Sequence, residues 1–259
     1  MLVTGASAGI GASLAPMLAE QGAVVGLVGR RADRLDEVLA ECRARGAEGR
    51  AWAVDLADPD DAERVALEAW ETFGHLRAVV HNAAIPMRRR ATELSLDDIE
   101  QTMLVNFWAP VRMTMALLPL MLERDAGVIV NVSSMGGRLG IPHEAAYCAS
   151  KFALCGWSES LALDLWETGV DVRLIIPGPI DTEIWDRPDN EAALYDGPLE
   201  PPEVVAEGIV AAIEGDAFEH YLPDLKGVAE FKTSDIDAYL AGAATMGAEG
   251  DAGDAGDER

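Results

Sequence analysis

The sequence predicts a doubly wound α/β fold, one parallel sheet with helices on both faces, in a single domain over residues 1–246. Three observations carry that prediction. Short runs rich in Val, Leu and Ile alternate with longer amphipathic stretches, the pattern of strand–helix–strand units. A glycine-rich stretch directly follows the first apolar run and opens onto a helical pattern. The chain's 259 residues, 49% hydrophobic and 25% charged, suffice for one large core and are too apolar for wholesale disorder.

The first strand is expected at residues 2–3, with almost nothing before the glycine-rich turn. Either the strand is unusually short or the true start lies upstream. Further strands are expected near 23–28, 51–54, 78–81, 128–132, 170–176 and 218–222. Helices are expected at about 10–21, 34–45, 60–73, 96–123, 144–167 and 202–214. Their starts often carry acids and turn formers, as in Asp58-Pro59-Asp60 and Ser95-Leu96-Asp97-Asp98, which suit the positive end of a helix dipole. Residues 181–202, rich in Pro, Asp and Asn, follow the sixth strand, where active-site loops and lids occur. Residues 247–259 repeat Gly, Ala and Asp and bury too little apolar area to order themselves, so an acidic disordered tail is expected there.

The formal net charge of −25 repels nucleic acid and anionic lipid over most of the surface, so neither is an expected partner. Lysine occurs only at 151, 226 and 232, a bias that a high-salt cytoplasm and a GC-rich genome would both produce. Cys42, Cys148 and Cys155 show no CxxC spacing and read as thiols in a reducing cytoplasm. His75, His81, His143 and His220 show no metal-ligand spacing, so no metal is expected. The start MLVTGASAGIG is too polar for a signal peptide, and the most apolar stretch, 103–121, contains Asn106 and Arg112. A cytoplasmic protein without a membrane span is therefore expected.

In Thr4-Gly5-Ala6-Ser7-Ala8-Gly9-Ile10-Gly11, glycines allow a tight turn whose backbone N–H groups meet a pyrophosphate at a helix start. The GxxxGxG spacing differs from the ordinary GxGxxG dinucleotide fingerprint, and a Gly-rich turn alone can be a mere connector. Downstream residues decide. The order TGxxxGxG, Asn82-Ala83-Ala84, Ser134, Tyr147-x-x-x-Lys151 and Pro177-Gly178-x-x-x-Thr182 resembles the short-chain dehydrogenase/reductase family across roughly residues 1–213. That resemblance implies a Rossmann-type fold and an enzyme interconverting a ketone or aldehyde and an alcohol with a nicotinamide cofactor.

After the second strand, Gly29-Arg30-Arg31 carries no carboxylate for a ribose hydroxyl but two guanidiniums suited to a 2′-phosphate, which favours NADP(H). The alternative, ordinary solvated residues at a helix start, sits badly with the helix dipole. The resemblance implies an adenine contact at Asp55-Leu56, for which a plain strand-end turn is the alternative. It implies a cofactor contact at Asn82 and Ala83, and nicotinamide contacts from Pro177, Gly178, Ile180 and Thr182. Gly5, Ser7, Gly9, Ile10 and Gly11 complete the expected cofactor set.

Tyr147 and Lys151, four residues apart on an expected helix, project from one face. A phenol with an ordinary pKa of about 10 is a poor base near neutrality, and a nearby cation favours phenolate. Tyr147 is the expected acid/base, assisted by Lys151. Ser134, just past the fifth strand, is expected to donate to the developing oxygen charge, and the resemblance prefers it over Ser133. The resemblance gives Asn106 a water that links Lys151 to solvent; the alternative is an Asn bonding backbone at a helix irregularity.

The substrate pocket is expected from Ile85-Pro86-Met87, 135–142, His143 and Ile184-Trp185, a mostly apolar set suited to an apolar ketone or secondary alcohol. Arg88-Arg89-Arg90 reads as a solvated loop or as a dock for an anionic carrier, the latter fitting a reductase or epimerase of a nucleotide-linked or acyl-carrier-linked substrate. A non-catalytic NADP(H) sensor is a further alternative, opposed by the intact Ser134, Tyr147 and Lys151. Apolar helices carrying Met113, Leu117 and Leu120, and Phe152, Trp157, Leu161 and Leu165, suggest a homodimer or homotetramer, with core packing as the alternative.

Overall fold

The computed structural model describes residues 1–254, with side chains through residue 245. Seven parallel strands form one sheet in the order β3-β2-β1-β4-β5-β6-β7. They are β1 (Leu2–Thr4), β2 (Val25–Gly29), β3 (Gly49–Ala53), β4 (Ala78–His81), β5 (Gly127–Val132), β6 (Val170–Pro177) and β7 (Glu219–Leu222). β1 is only three residues long and sits in the centre of the sheet, with Leu2 paired to Gly26 on one side and Val79 on the other. Its burial, like that of β2 and β4, is complete on both faces. That is why these strands read as unbroken apolar runs rather than as alternating ones.

The helices are α1 (Gly9–Glu20), α2 (Ala32–Ala44), α3 (Pro59–Phe73), α4 (Leu96–Met103), α5 (Ala109–Arg124), α6 (Ala145–Asp164), α7 (Pro202–Glu214), α8 (Lys226–Ser234) and α9 (Ile236–Asp254). Local chemistry sets several of their ends. Asp58 caps α3 by accepting from the Asp60 and Asp61 amides, with Pro59 in the first turn, and Gly74 at φ 72° closes it. Ser95 and Asp98 form a reciprocal capping box on α4. The single helix expected over 96–123 is interrupted by one π-helical turn, Leu104–Trp108, with Asn106 in its centre.

Two apolar layers sandwich the sheet. On one face α1, α2 and α7 contribute Leu14, Leu18, Leu35, Leu39 and Ile209; on the other α3, α5 and α6 contribute Val65, Ala69, Met113, Leu117 and Leu161. Each such side chain, fully buried, contributes about 1.5–3 kcal/mol. Helix Leu96–Arg124 is long and apolar enough to cross a bilayer by length and composition. Its α5 face nevertheless packs Met113, Leu117 and Met121 into the core at zero exposure.

Two elements depart from the sequence reading. No helix was expected after β7, yet α8 and α9 fold there, with Leu225 and Tyr239 packed against a third small cluster around Leu174 and Ile176. The expected tail 247–259 begins as helical backbone, since α9 runs through Asp254; residues 255–259 lie outside the described residues.

Candidate active site

Because all strands are parallel, the loops after β1, β2, β4, β5 and β6 emerge on one edge of the sheet. The strand order reverses between β1 and β4, which opens a crevice there. A cavity of ≈ 980 Å³ occupies this edge. It is lined by Gly5, Ser7, Gly9, Ile10, Arg30, Arg31, Asp55, Leu56, Asn82, Ala83, Ser134, Tyr147, Lys151, Pro177, Gly178, Ile180 and Thr182. Of the residues the sequence singled out, Gly11 and Asn106 stand behind this wall.

The turn between β1 and α1 is built by close backbone approach. Gly5 and Gly9 adopt φ of 65° and 51°, and a Cβ on Gly11 would lie 2.4 Å from the Gly5 carbonyl oxygen. Asn82 holds the turn from below, its Nδ2 donating to the Thr4 and Gly5 carbonyls at 3.0 and 3.4 Å. Ala8, the residue capping α1, offers no side-chain hydrogen bond, so the first N–H groups of the helix are free of a side-chain acceptor. An unsatisfied helix start at a cavity wall is the chemistry that a pyrophosphate fits. Past β2, Arg31 donates to Ser7 O and Oγ at 3.3 and 3.4 Å and pairs with Glu183 Oε2 at 2.7 Å. One Asp55 carboxylate oxygen accepts the Ala57 amide at 3.0 Å, so the strand-end turn reading is realised while the residue still lines the cavity.

The catalytic candidates meet because β5 and α6 are stitched together by glycine. The turn Met135–Gly137 lies so close to α6 that a Cβ on Gly136 would stand 3.2 Å from Tyr147 Cε1, and one on Gly137 2.9 Å from the Lys151 carbonyl oxygen. Ser133 turns inward, its hydroxyl 3.2 Å from Lys151 O and 3.1 Å from Cys155 Sγ. Ser134 Oγ accepts the Gly136 amide at 3.0 Å and reaches the Tyr147 phenol. Lys151, 2% exposed, donates its ammonium to Val132 O at 3.0 Å, and burial lowers its pKa to about 8. The Tyr147 phenol is held well above its ordinary value, first by burial, with the Ser134 contact acting in the opposite direction.

Asn106 does occupy a helix irregularity, but it bonds outward. Its Oδ1 accepts Ile85 N at 2.8 Å, and its Nδ2 donates to Ile85 O at 2.9 Å and Ser150 Oγ at 3.1 Å. It thereby ties the loop after β4 to the helix that carries Tyr147.

The substrate end of the cavity is largely as expected, with Ile85, Pro86, Leu139, Ile141, His143, Ile184 and Trp185 in its wall, although Met87 is absent from it. Leu225, Val228, Phe231 and Tyr239 from α8, α9 and the segment before them add an apolar rim that the sequence reading missed. Arg88 and Arg89 bond within the chain rather than lying free in a solvated loop. Arg88, 3% exposed, donates to Glu191 O, Ile184 O and Trp185 O at 3.0, 3.4 and 2.6 Å. Arg89 bonds Asp98 and Asp189 O at 2.6 and 2.9 Å. Both pin the loop that follows Thr182 over the cavity.

The family description "short chain dehydrogenase" matches residues 1–192. The chain belongs to the short chain dehydrogenase family. An uncharacterized oxidoreductase of Bacillus subtilis is 34% identical over 229 residues, covering 86% of this chain and 64% of the relative, so this chain spans just under two thirds of that protein. Among solved structures, a metagenomic short-chain oxidoreductase in complex with NADP superposes with a TM-score of 0.73 at 28% identity, covering 85% of this chain and 93% of that one. A short chain dehydrogenase/reductase from Burkholderia phymatum in complex with NAD superposes with a TM-score of 0.82 at 26% identity, covering 92% and 94%. The seven-stranded parallel sheet flanked by helices is the Rossmann-type fold these proteins share.

Proposed function

We propose that this chain is an NADP(H)-dependent oxidoreductase that interconverts a small, mainly apolar ketone or aldehyde and its alcohol. One observation carries the reading: Ser134, Tyr147 and Lys151 converge on the same cavity wall that faces the glycine-rich turn and Arg30–Arg31. When bound, the cofactor supplies the hydride and the acceptor for it. The residues of the chain supply position, a proton and charge stabilisation. The Ala8–Gly9 helix start and the Gly5 turn hold the pyrophosphate, and Ile180 and Thr182, beside Gly9, hold the carboxamide end. Tyr147 gives its phenolic proton to the substrate oxygen in reduction and takes it back in oxidation. Ser134 donates a hydrogen bond to the same oxygen as charge grows on it. Lys151 keeps a positive charge behind the phenol, and Asn106 positions the helix that bears both.

The NADP(H) preference is supported by Arg30 and Arg31 in the cavity wall with no carboxylate at the end of β2. A third guanidinium, Arg187, stands near enough to feel both, and after burial their charges are the next causes that lower its pKa. Three clustered cations favour an anion such as a 2′-phosphate. The deciding experiment titrates the protein with NADPH and NADH by cofactor fluorescence, with an Arg30→Ala, Arg31→Ala variant, then screens carbonyl compounds with Tyr147→Phe as control. NADPH preference lost in the variant is the expected result; equal binding of both cofactors sinks the preference, and binding of neither sinks the reading.

Self-association also belongs to this reading. Met113, Leu117, Leu161 and Leu165 are core residues, whereas Met115, Phe152, Leu163 and Trp166 leave 53%, 39%, 72% and 81% of their surface exposed on α5, α6 and the turn after it. A homodimer or homotetramer would bury them, and light scattering reads the mass directly. Buried free thiols at Cys42, Cys148 and Cys155 suit a cytoplasmic setting.

A further inference from the structure

Among the described residues, the substrate end of the cavity holds a polar group beside Tyr147 that neither the chemistry nor the fold uses. His143 Nδ1 is 2.9 Å from Glu191 Oε2, the Tyr239 hydroxyl donates to Gly140 O at 2.7 Å, and the Tyr195 hydroxyl donates to Pro198 O at 3.1 Å. The Arg88 guanidinium donates to three backbone carbonyls. Glu144 differs. It lines the cavity three residues before Tyr147, and its carboxyl makes no hydrogen bond or ion pair among the described residues.

The backbone is arranged to deliver it. His143 adopts φ 63°, a left-handed conformation that costs a non-glycine residue energy. The turn is held by its ion-pair geometry with Glu191 and by Arg89 N donating to His143 O at 2.7 Å. Immediately after it, Glu144 stands as the capping residue just before α6, makes no side-chain cap bond, and lines the same cavity as Tyr147. The two groups feel one another: charge on Glu144 raises the phenol's pKa.

We infer that Glu144 is a specificity-determining residue, and that the substrate carries a second hydroxyl within two carbons of the reacting carbon, which the Glu144 carboxyl binds. The inference rests on the oxidoreductase reading above and names the substrate class within it: hydroxyketones and the matching diols, with an apolar remainder. Glu144 is partly buried in the cavity wall, and its unpartnered carboxyl gains a hydrogen bond from a substrate hydroxyl placed beside it. Burial pushes the acid up to about 7, so near neutrality it both accepts and donates. A substrate ammonium fits less well, because the Arg88 cation acts on the same carboxyl from the loop after β4.

The test uses the full chain with saturating NADPH and three substrates on one medium-length carbon skeleton: the plain methyl ketone, the ketone with a hydroxyl one or two carbons away, and the corresponding aminoketone. The wild type is expected to prefer the hydroxyketone over the plain ketone by roughly tenfold or more in kcat/KM, mostly through KM. In Glu144→Leu that ratio collapses toward one, and Glu144→Gln keeps part of it. A ratio unchanged in Glu144→Leu, or a wild type that reduces the plain ketone as well as the hydroxyketone, overturns the inference and leaves the oxidoreductase reading standing. A preference for the aminoketone overturns the hydroxyl class. NADPH binding with no turnover of any of the three overturns both.

Discussion

Lys151 Nζ lies 5.8 Å from the centre of the Tyr147 ring, while its hydrogen bond goes to the Val132 carbonyl at 3.0 Å. The cation is therefore close enough to act on the phenol through space and is not bonded to it. Burial is the largest influence on the phenol and leaves Tyr147 protonated at neutral pH. A protonated phenol is ready for carbonyl reduction, whereas alcohol oxidation needs phenolate. We expect reduction to be nearly flat between pH 6 and 7.5, and oxidation of the matching alcohol to climb by about tenfold per pH unit there. Initial rates in both directions with one ketone–alcohol pair measure this; an oxidation plateau below pH 7 would mean that Lys151 draws the phenol down after all.

Removing the phenolic hydroxyl separates chemistry from binding. Tyr147→Phe should lower kcat for reduction by about 10²–10⁴-fold, the usual worth of a placed proton donor, while NADPH affinity stays within about threefold. Stopped-flow single turnovers with fluorescence titration give both numbers. A variant that keeps more than a tenth of its rate would assign the proton to another group.

Lys151 should be costly to stability as well as needed for activity. Unfolded, the amine keeps its proton to about 10.5; folded, it gives it up near 8. Between those values the unfolded state binds more protons, so the lysine's contribution makes stability rise with pH across that window, and its penalty is fully present below pH 8. Lys151→Met, similar in length and uncharged, should stabilise the protein at pH 7 by on the order of 1–3 kcal/mol and flatten that rise, while activity is lost. Urea melts at pH 7 and pH 10 check it; a variant less stable at pH 7 would show that the bond to Val132 outweighs the buried charge.

How much of this was legible in the sequence follows from what each signal depends on. Tyr147 and Lys151 share a face because helical spacing alone puts them there. β1, β2 and β4 were visible because strands buried on both faces must be apolar throughout, and the observed ends of the strands differ from the expected ones by only a few residues. α8 and α9 were missed because they bury little: among the described side chains of the two helices only Ala229 is buried, so no apolar period marks them. Arg88 was misread because a triple-arginine run looks solvated. Its partners are backbone carbonyls about a hundred residues away, which no local pattern encodes. Glu144 carried no signal beyond standing three residues before Tyr147.

Glu183 follows Thr182 and takes the Arg31 guanidinium that a 2′-phosphate would claim, at 2.7 Å. Both side chains are about half exposed, so the pair adds little to stability. Under the NADP(H) proposal it competes with the phosphate instead. Glu183→Gln should tighten NADPH binding several-fold, leave NADH within about twofold, and steepen the loss of NADPH affinity with salt. Cofactor titrations at two ionic strengths test this, and equal gains for both cofactors would place the effect in the loop rather than at the phosphate.

Two helical glycines should respond to alanine in opposite directions. Gly156 lies inside α6 with nothing within 4 Å of an added Cβ, so Gly156→Ala should stabilise by about 0.5–1 kcal/mol through helix propensity. Gly11 lies in the first turns of α1, where the same gain is available, but its Cβ would stand 2.4 Å from Gly5 O and 2.8 Å from Asn82 Nδ2. Backbone has to move there, at a cost of about 1–3 kcal/mol. The part that moves is the phosphate-binding turn, so Gly11→Ala should lose cofactor affinity by more than its loss of stability alone would produce at working temperature. Thermal melts of both variants, with and without NADPH, separate the two costs: NADPH should raise the midpoint of Gly156→Ala as it does the wild type, and much less that of Gly11→Ala. An unimpaired midpoint shift in Gly11→Ala would mean that the turn absorbs the Cβ without disturbing the N–H groups that line the cavity.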